Sequence, residues 1–262
     1  MGWAPLAKTH ESVLPRLVTA QGGLVLAMTN TSEIPWQIKR VRPIAFSYNR
    51  RHKLPKAKKP TAQDNNSIMY LPDHFTVSDE DEIFSFLDAN AFGQLISRQD
   101  SEIVASHLPF LVAADRQQLH CHLARQNPQW QQLEDQRVLI TFQGAHDYIS
   151  PSWYETAGVP TWNYQAVHIY GHCRVFEEAG ALAEVVEALS QRYESAFETP
   201  WQPQYREAML NAIIGVEITI DEVQCKYKLS QNRPAADQQG VVDRLDQLDS
   251  KSLASAMRKV LF

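Results

Sequence analysis

Between Gln94 and Phe176 the chain repeats one kind of segment. Gln94–Arg98, Ile103–Ala113, Gln118–Leu123, Arg137–Phe142 and Val167–Phe176 are rich in β-branched and aromatic residues and bounded by turn residues. Most of the connections are shorter than the dozen or so residues that a parallel crossover needs. A largely antiparallel sheet follows. Gly215–Lys228 adds a late strand, with Val216, Ile218 and Ile220 on one face and Glu217, Thr219 and Asp221 on the other. Helices are expected at four places. Ser78 with the acidic run from Asp79 to Glu82 starts one that ends at Asn90 and Gly93. Glu177–Phe197 repeats apolar residues at helical spacing. Gln204–Ile213 makes a shorter one, and the tail from Pro234 is also helical. Closely spaced strands with helices inserted late predict a small barrel, not a doubly wound sheet.

Charge divides the chain in two. Residues 1–68 hold 11 Lys/Arg against 3 Asp/Glu, and nine of the basic residues fall between Lys39 and Lys59. This extension is expected to be disordered, or to reflect a start assigned too far upstream; as a working arm it would touch nucleic acid or another anionic surface. Residues 69–262 hold 14 Lys/Arg against 27 Asp/Glu. A body of that charge is a poor general binder of the DNA backbone. It forms the second predicted domain, running to the C-terminus.

Cys121, Cys173 and Cys225 lie far apart with no CxxC pair, which argues against a disulfide framework and a zinc ribbon. No apolar run approaches the ~20 residues of a membrane span. Gly22–Met28 makes a poor signal peptide, lacking a basic start. A soluble cytoplasmic protein is expected. His120 and His122 share a strand face, roughly 6.6 Å apart at ~3.3 Å per residue. No third ligand accompanies them, so no metal site is expected.

The segment Leu119–Leu133 carries the most chemistry. Asn127 is a strong N-cap and Pro128 suits a first helical position, so a helix should start there. Its free amides near Gln129 and Trp130 would face an anion, and the Arg125 fork just before would clamp a phosphate. Trp130 could cover an aromatic ring. An ordinary capped helix with a surface arginine fits the spacing equally. Lys226 and Lys228 face the same way on the late strand, where they could neutralise a phosphate or a flavin's negative charge, or simply end a solvated strand. The aromatics Tyr148, Trp153, Tyr154, Trp162 and Tyr164 fit either a planar ligand or a subunit interface. No P-loop, GxGxxG or nucleophile elbow is present.

Several motifs in order resemble the PaiB family of FMN-binding-type transcriptional regulators. They are Met69-Tyr70-Leu71-Pro72 with His74-Phe75, Ser106-His107-Leu108-Pro109-Phe110, and His122-Leu123-Ala124-Arg125-Gln126-Asn127-Pro128-Gln129-Trp130. Then come Phe142-Gln143-Gly144, Tyr148 to Tyr154, Val159 to Tyr164, Val167-His168, and Lys228 to Arg233. The resemblance covers residues 69 to about 245. It implies an FMN-binding split β-barrel of Greek-key type, mainly β with helices, working as a homodimer with FMN at the subunit interface. It implies that phosphate is held near the junction containing His122, Ala124, Arg125, Asn127, Gln129 and Trp130. Ser106, His107 and Leu108 would pass beside the flavin ring, and Lys226 and Lys228 would complete the cofactor site. The family role is negative transcriptional regulation, acting on DNA directly or through a partner. Alternatives are an FMN-dependent oxidoreductase and a dimer that has lost its cofactor. No catalytic acid or base stands out.

Overall fold

The computed structural model describes residues 69–202 and 207–262. The expectations for residues 1–68 lie outside them. Seven strands form one sheet in the order β2-β1-β5-β6-β7-β4-β3, every neighbouring pair antiparallel. They are β1 (Phe92–Gln99), β2 (Glu102–Pro109), β3 (Leu111–Val112), β4 (Gln118–Ala124), β5 (Arg137–Ile149), β6 (Thr161–Phe176) and β7 (Ile213–Lys228). The sheet curls until β2, at one edge, comes near β4, next to the other edge. No ladder joins those two strands, which leaves the barrel split.

The curl follows from alternation. Leu95, Leu119, Cys121, Ile140, Val167, Ile169, Val216 and Ile218 all turn inward and are sealed from solvent. Each buried aliphatic side chain of this size contributes about 1.5–3 kcal/mol. Register breaks between Gln143 and His146, and between Tyr170 and Gly171, help a flat ladder bend. Gly215 lies under the Phe176 ring, in space that a Cβ would fill.

Helix α1 (Glu80–Ala89) closes one end of the barrel with Ile83, Phe84, Phe86 and Leu87. Its N-cap is Asp79 and not Ser78: the Asp79 carboxylate accepts from Glu82 N at 2.9 Å. Helix α2 (Ala179–Glu194) packs Leu182, Val185 and Leu189 against Leu111 and Phe176, outside the barrel. Of the helix expected over 204–213, the described part is Glu207–Leu210 (α3), and it ends before Ile213, which pairs with Ala124. Helices α4 (Ala235–Gln247) and α5 (Lys251–Leu261) bring Val241, Leu245, Leu253 and Met257 into the core.

Three strands differ from expectation. The segment 103–113 is divided after Pro109, which has no N–H to give a ladder. β5 and β6 both run further, so Tyr148 pairs with Trp162 on a hairpin arm where irregular chain was expected. Among the described residues no helix is long and apolar enough to cross a membrane.

Candidate functional site

The junction after β4 is built as a knot between strands. Asn127 caps a 3-10 turn over Pro128–Gln132: its Oδ1 accepts from Gln129 N at 3.0 Å. Its Nδ2 donates to Ser106 Oγ at 2.8 Å and so ties the turn to β2. The Gln129 side chain runs inward and donates to Leu95 O at 3.1 Å and Ser97 Oγ at 2.9 Å. Trp130 Nε1 donates to Arg125 O at 2.9 Å. The expected helix starts where the sequence places it but lasts one turn.

Arg125 is engaged by protein groups. It donates to Asn211 O at 2.6 Å, Glu177 Oε2 at 2.5 Å and Ile213 O at 3.3 Å. An incoming phosphate would compete with all three. The Gln129 amide is likewise taken by its own cap. His122 and Ala124 sit on the face of β4 away from the core, opposite Gly215 and Ile213. Burial holds the His122 imidazole below its ordinary pKa.

Strand alternation separates the second predicted group. Ser106 lies opposite Leu95 and Leu108 packs toward the core, so only His107 faces outward, where its ring stacks on Phe92 at 6.3 Å. Successive registers then place His107, Gln94, Thr141, His168 and Gln224 in one row across five strands on the outer face of the sheet. The row spans four inter-strand steps, roughly 19 Å along the sheet. Thr141 Oγ1 donates to Gln94 Oε1 at 3.4 Å. His168 Nδ1 is buried with no hydrogen-bond partner among the described residues, and burial lowers this imidazole's pKa.

Lys226 lies one row further along, opposite Ala166, and Lys228 lies opposite Tyr164. Lys226 is only 6% exposed. Its Nζ donates to Tyr70 O at 2.7 Å and lies over the rings of Tyr70 (5.1 Å) and Tyr164 (5.7 Å). Lys228 Nζ donates to Thr161 Oγ1 and Trp162 O, both at 2.6 Å. Burial and then the neighbouring Lys226 and Arg233 charges push the Lys228 pKa down. Among the described residues neither ammonium has a carboxylate partner. Beside them the hairpin arm presents Trp162, 54% exposed, with Tyr148 and His146 against it.

Below that arm a buried carboxylate fixes the preceding loop. Asp237 accepts from Thr156 Oγ1 (2.5 Å), Glu155 N (2.8 Å) and Thr156 N (3.1 Å). Those bonds, the Thr156 hydroxyl first, hold it below the usual carboxylate range. Arg233 stacks on Tyr154 at 4.3 Å and donates to Ala157 O.

The structure thus brings Ser106, Arg125, Asn127, Gln129 and Trp130 together near the start of β7, and places Lys226 with Lys228 at the far end of that strand. Sequence reasoning missed the outer-face row, the Asp237 anchor and the Tyr70 contact. Tyr70, His107 and His168 each lie in a quoted motif, but nothing in the sequence joins them or points to Asp237. Among the described residues no group of three or more His, Cys, Asp or Glu can hold a metal ion.

Residues 69–222 match a family model described as "Putative FMN-binding domain". Protease synthase and sporulation protein PAI 2 of Bacillus subtilis is 38% identical over 204 residues, covering 74% of this chain and 98% of that protein. An uncharacterized protein of Emericella nidulans is 32% identical over 205 residues, covering 60% and 82% respectively. The structure of the FAD and heme binding protein from Mycobacterium smegmatis superposes with a TM-score of 0.51 at 14% identity, over 62% of this chain and 78% of that one; this likeness is one of fold. The motifs, the seven-stranded split barrel and these relatives agree: the chain belongs to the PaiB-type family of FMN-binding split-barrel proteins.

Proposed function

We propose that this protein binds FMN on the outer face of the sheet, with Lys226 and Lys228 facing an anionic part of the cofactor. The observation that carries the reading is the buried Lys226 ammonium, which has only neutral partners among the described residues. A buried charge without a counter-ion is costly, and an anion restores the balance. The polar row from His107 to Gln224 supplies donors and acceptors for a ring edge, and the exposed Trp162 supplies a stacking surface. FMN, when bound, contributes reversible electron transfer, while the chain's own residues fix its position and charge environment. Ser106, Asn127 and Gln129 support this face from the edge by tying β2 and β1 to the turn after β4, while Arg125 and Trp130 hold that turn to the start of β7 and Leu108 packs toward the core. His122 and Ala124 lie at the other end of β7 from the lysines.

The outer faces of β1 and β2 expose Phe92 (63%) and Ile103 (77%). Such apolar exposure favours cover by a second copy of the chain, so a homodimer is part of the proposal. The name of the Bacillus subtilis relative refers to protease synthesis and sporulation, which supports a regulatory role for this chain. The acidic charge of residues 69–262 favours regulation through a partner over direct contact of this body with DNA. Titration of flavin fluorescence with the full chain tests the central reading. Saturable quenching at one FMN per chain supports it, and unquenched flavin at every protein concentration rejects it. The oxidoreductase alternative gains support if the loaded protein turns over NAD(P)H.

A further inference from the structure

Residues Met69–Val77 cross the outer face over the two lysines. Met69 N donates to Gln224 Oε1 at 2.9 Å. Tyr70 gives Lys226 both its carbonyl oxygen and its ring. Beyond it, Thr76 bridges to Lys226 in the backbone, and Val77 N donates to Cys225 O at 3.1 Å. The segment is therefore anchored firmly at Thr76–Val77, where backbone joins backbone. At Met69–Tyr70 the bonds to Gln224 and Lys226 join backbone to side chains.

Lys226 is enclosed on its other sides. Tyr164 covers one flank, and the strand partners Ala166 and Thr76 lie to either side. Tyr70 is 81% exposed, so the solvent side of the ammonium is the side that Tyr70 occupies. The Tyr70 carbonyl takes one of the three Nζ donors, and an anion approaching from the solvent side meets Tyr70 first and competes for that donor. The exchange is favourable, because a charge-assisted bond to an anion is about twice as strong as one between neutral groups.

We propose that Met69–Pro72 is a strap released by the ligand: Tyr70 shields Lys226 in the free protein and is displaced when an anionic group docks there, while Thr76 and Val77 act as the hinge. The inference rests on the assignment of an anion to Lys226. It goes further in giving the site a closed free state and an open bound one.

Hydrogen–deuterium exchange of the Met69–Val77 segment in the full chain tests it, with FMN and with inorganic pyrophosphate as separate probes. The Met69 amide, which donates to Gln224, should exchange about tenfold faster or more on saturation, while the Val77 amide stays protected. Tyr70→Ala and Gln224→Ala, which weaken the strap from opposite ends, should each tighten binding of the responding probe by about threefold to tenfold. Slower exchange on binding, or weaker binding in both variants, would mean that the segment closes over the ligand, and would overturn the strap. A response to pyrophosphate without one to FMN keeps the strap and rejects the flavin. A flavin that binds without changing the exchange keeps the flavin and rejects the strap. No response to either probe rejects both.

Discussion

The Nζ of Lys226 sits 2.7 Å from the carbonyl oxygen of Tyr70, a residue 156 positions earlier, with that residue's ring 5.1 Å away. A full positive charge on the outer face of the sheet is thereby held by a peptide dipole and two aromatic rings. Replacing Lys226 by Met separates its two effects. Removing a buried charge without a counter-ion is neutral or mildly stabilising, so the melting temperature should hold or rise. FMN affinity should fall by about tenfold or more, from loss of a charge-assisted bond. Thermal melts and fluorescence titration of the same preparation check both signs.

Arg125→Ala should behave in the opposite way. The guanidinium spans Glu177 and the carbonyls of Asn211 and Ile213, and so staples β4 to the start of β7. Its loss should cost about 1–2 kcal/mol of stability, after allowance for the exposure of the pair. FMN affinity should change less than about threefold, a spread within the noise of indirect effects. Urea denaturation and the same titration distinguish this from a phosphate clamp.

Asn127→Ala removes the N-cap and the link to Ser106 together. A lost cap of this kind costs about 0.5–2 kcal/mol. The edge strand β2 should fray first, so amides of Val104–Leu108 should exchange faster while the β6–β7 ladder stays protected.

Asp237 predicts a pH dependence. Its folded pKa lies below the unfolded value of about 3.9. Its contribution is therefore complete above about pH 4 and is lost as pH falls through the folded pKa. Melts between pH 3 and 7 should show a steeper acid decline for the wild type than for Asp237→Asn. In that variant, protease cleavage in the Tyr154–Val159 loop should already be faster at neutral pH.

The sequence made the sheet legible because alternation is local. Val216, Ile218 and their neighbours state their face without help from the rest of the chain. Strand ends were less legible, since pairing sets them. Ile213 belongs to β7 because Ala124 is opposite, and Tyr148 is in a strand because Trp162 is opposite. The turn at Asn127 announced its start through Asn-Pro. It did not announce that Leu95 and Ser97, more than thirty residues away in sequence, hold the Gln129 side chain inward. The site itself was legible only in pieces. Lys226 and Lys228 were read as neighbours on one face, and structurally they are. That His107 shares a row with Gln224 is a statement about four registers, and no spacing in the sequence contains it.

The most direct measurement is the visible absorption spectrum of the full chain after FMN loading and desalting, taken for the wild type, Lys226→Met and Arg125→Ala in parallel. The account predicts a retained flavin band in the wild type and in Arg125→Ala, and its loss in Lys226→Met. A band that survives in Lys226→Met but vanishes in Arg125→Ala would contradict it and return the phosphate to the junction after β4.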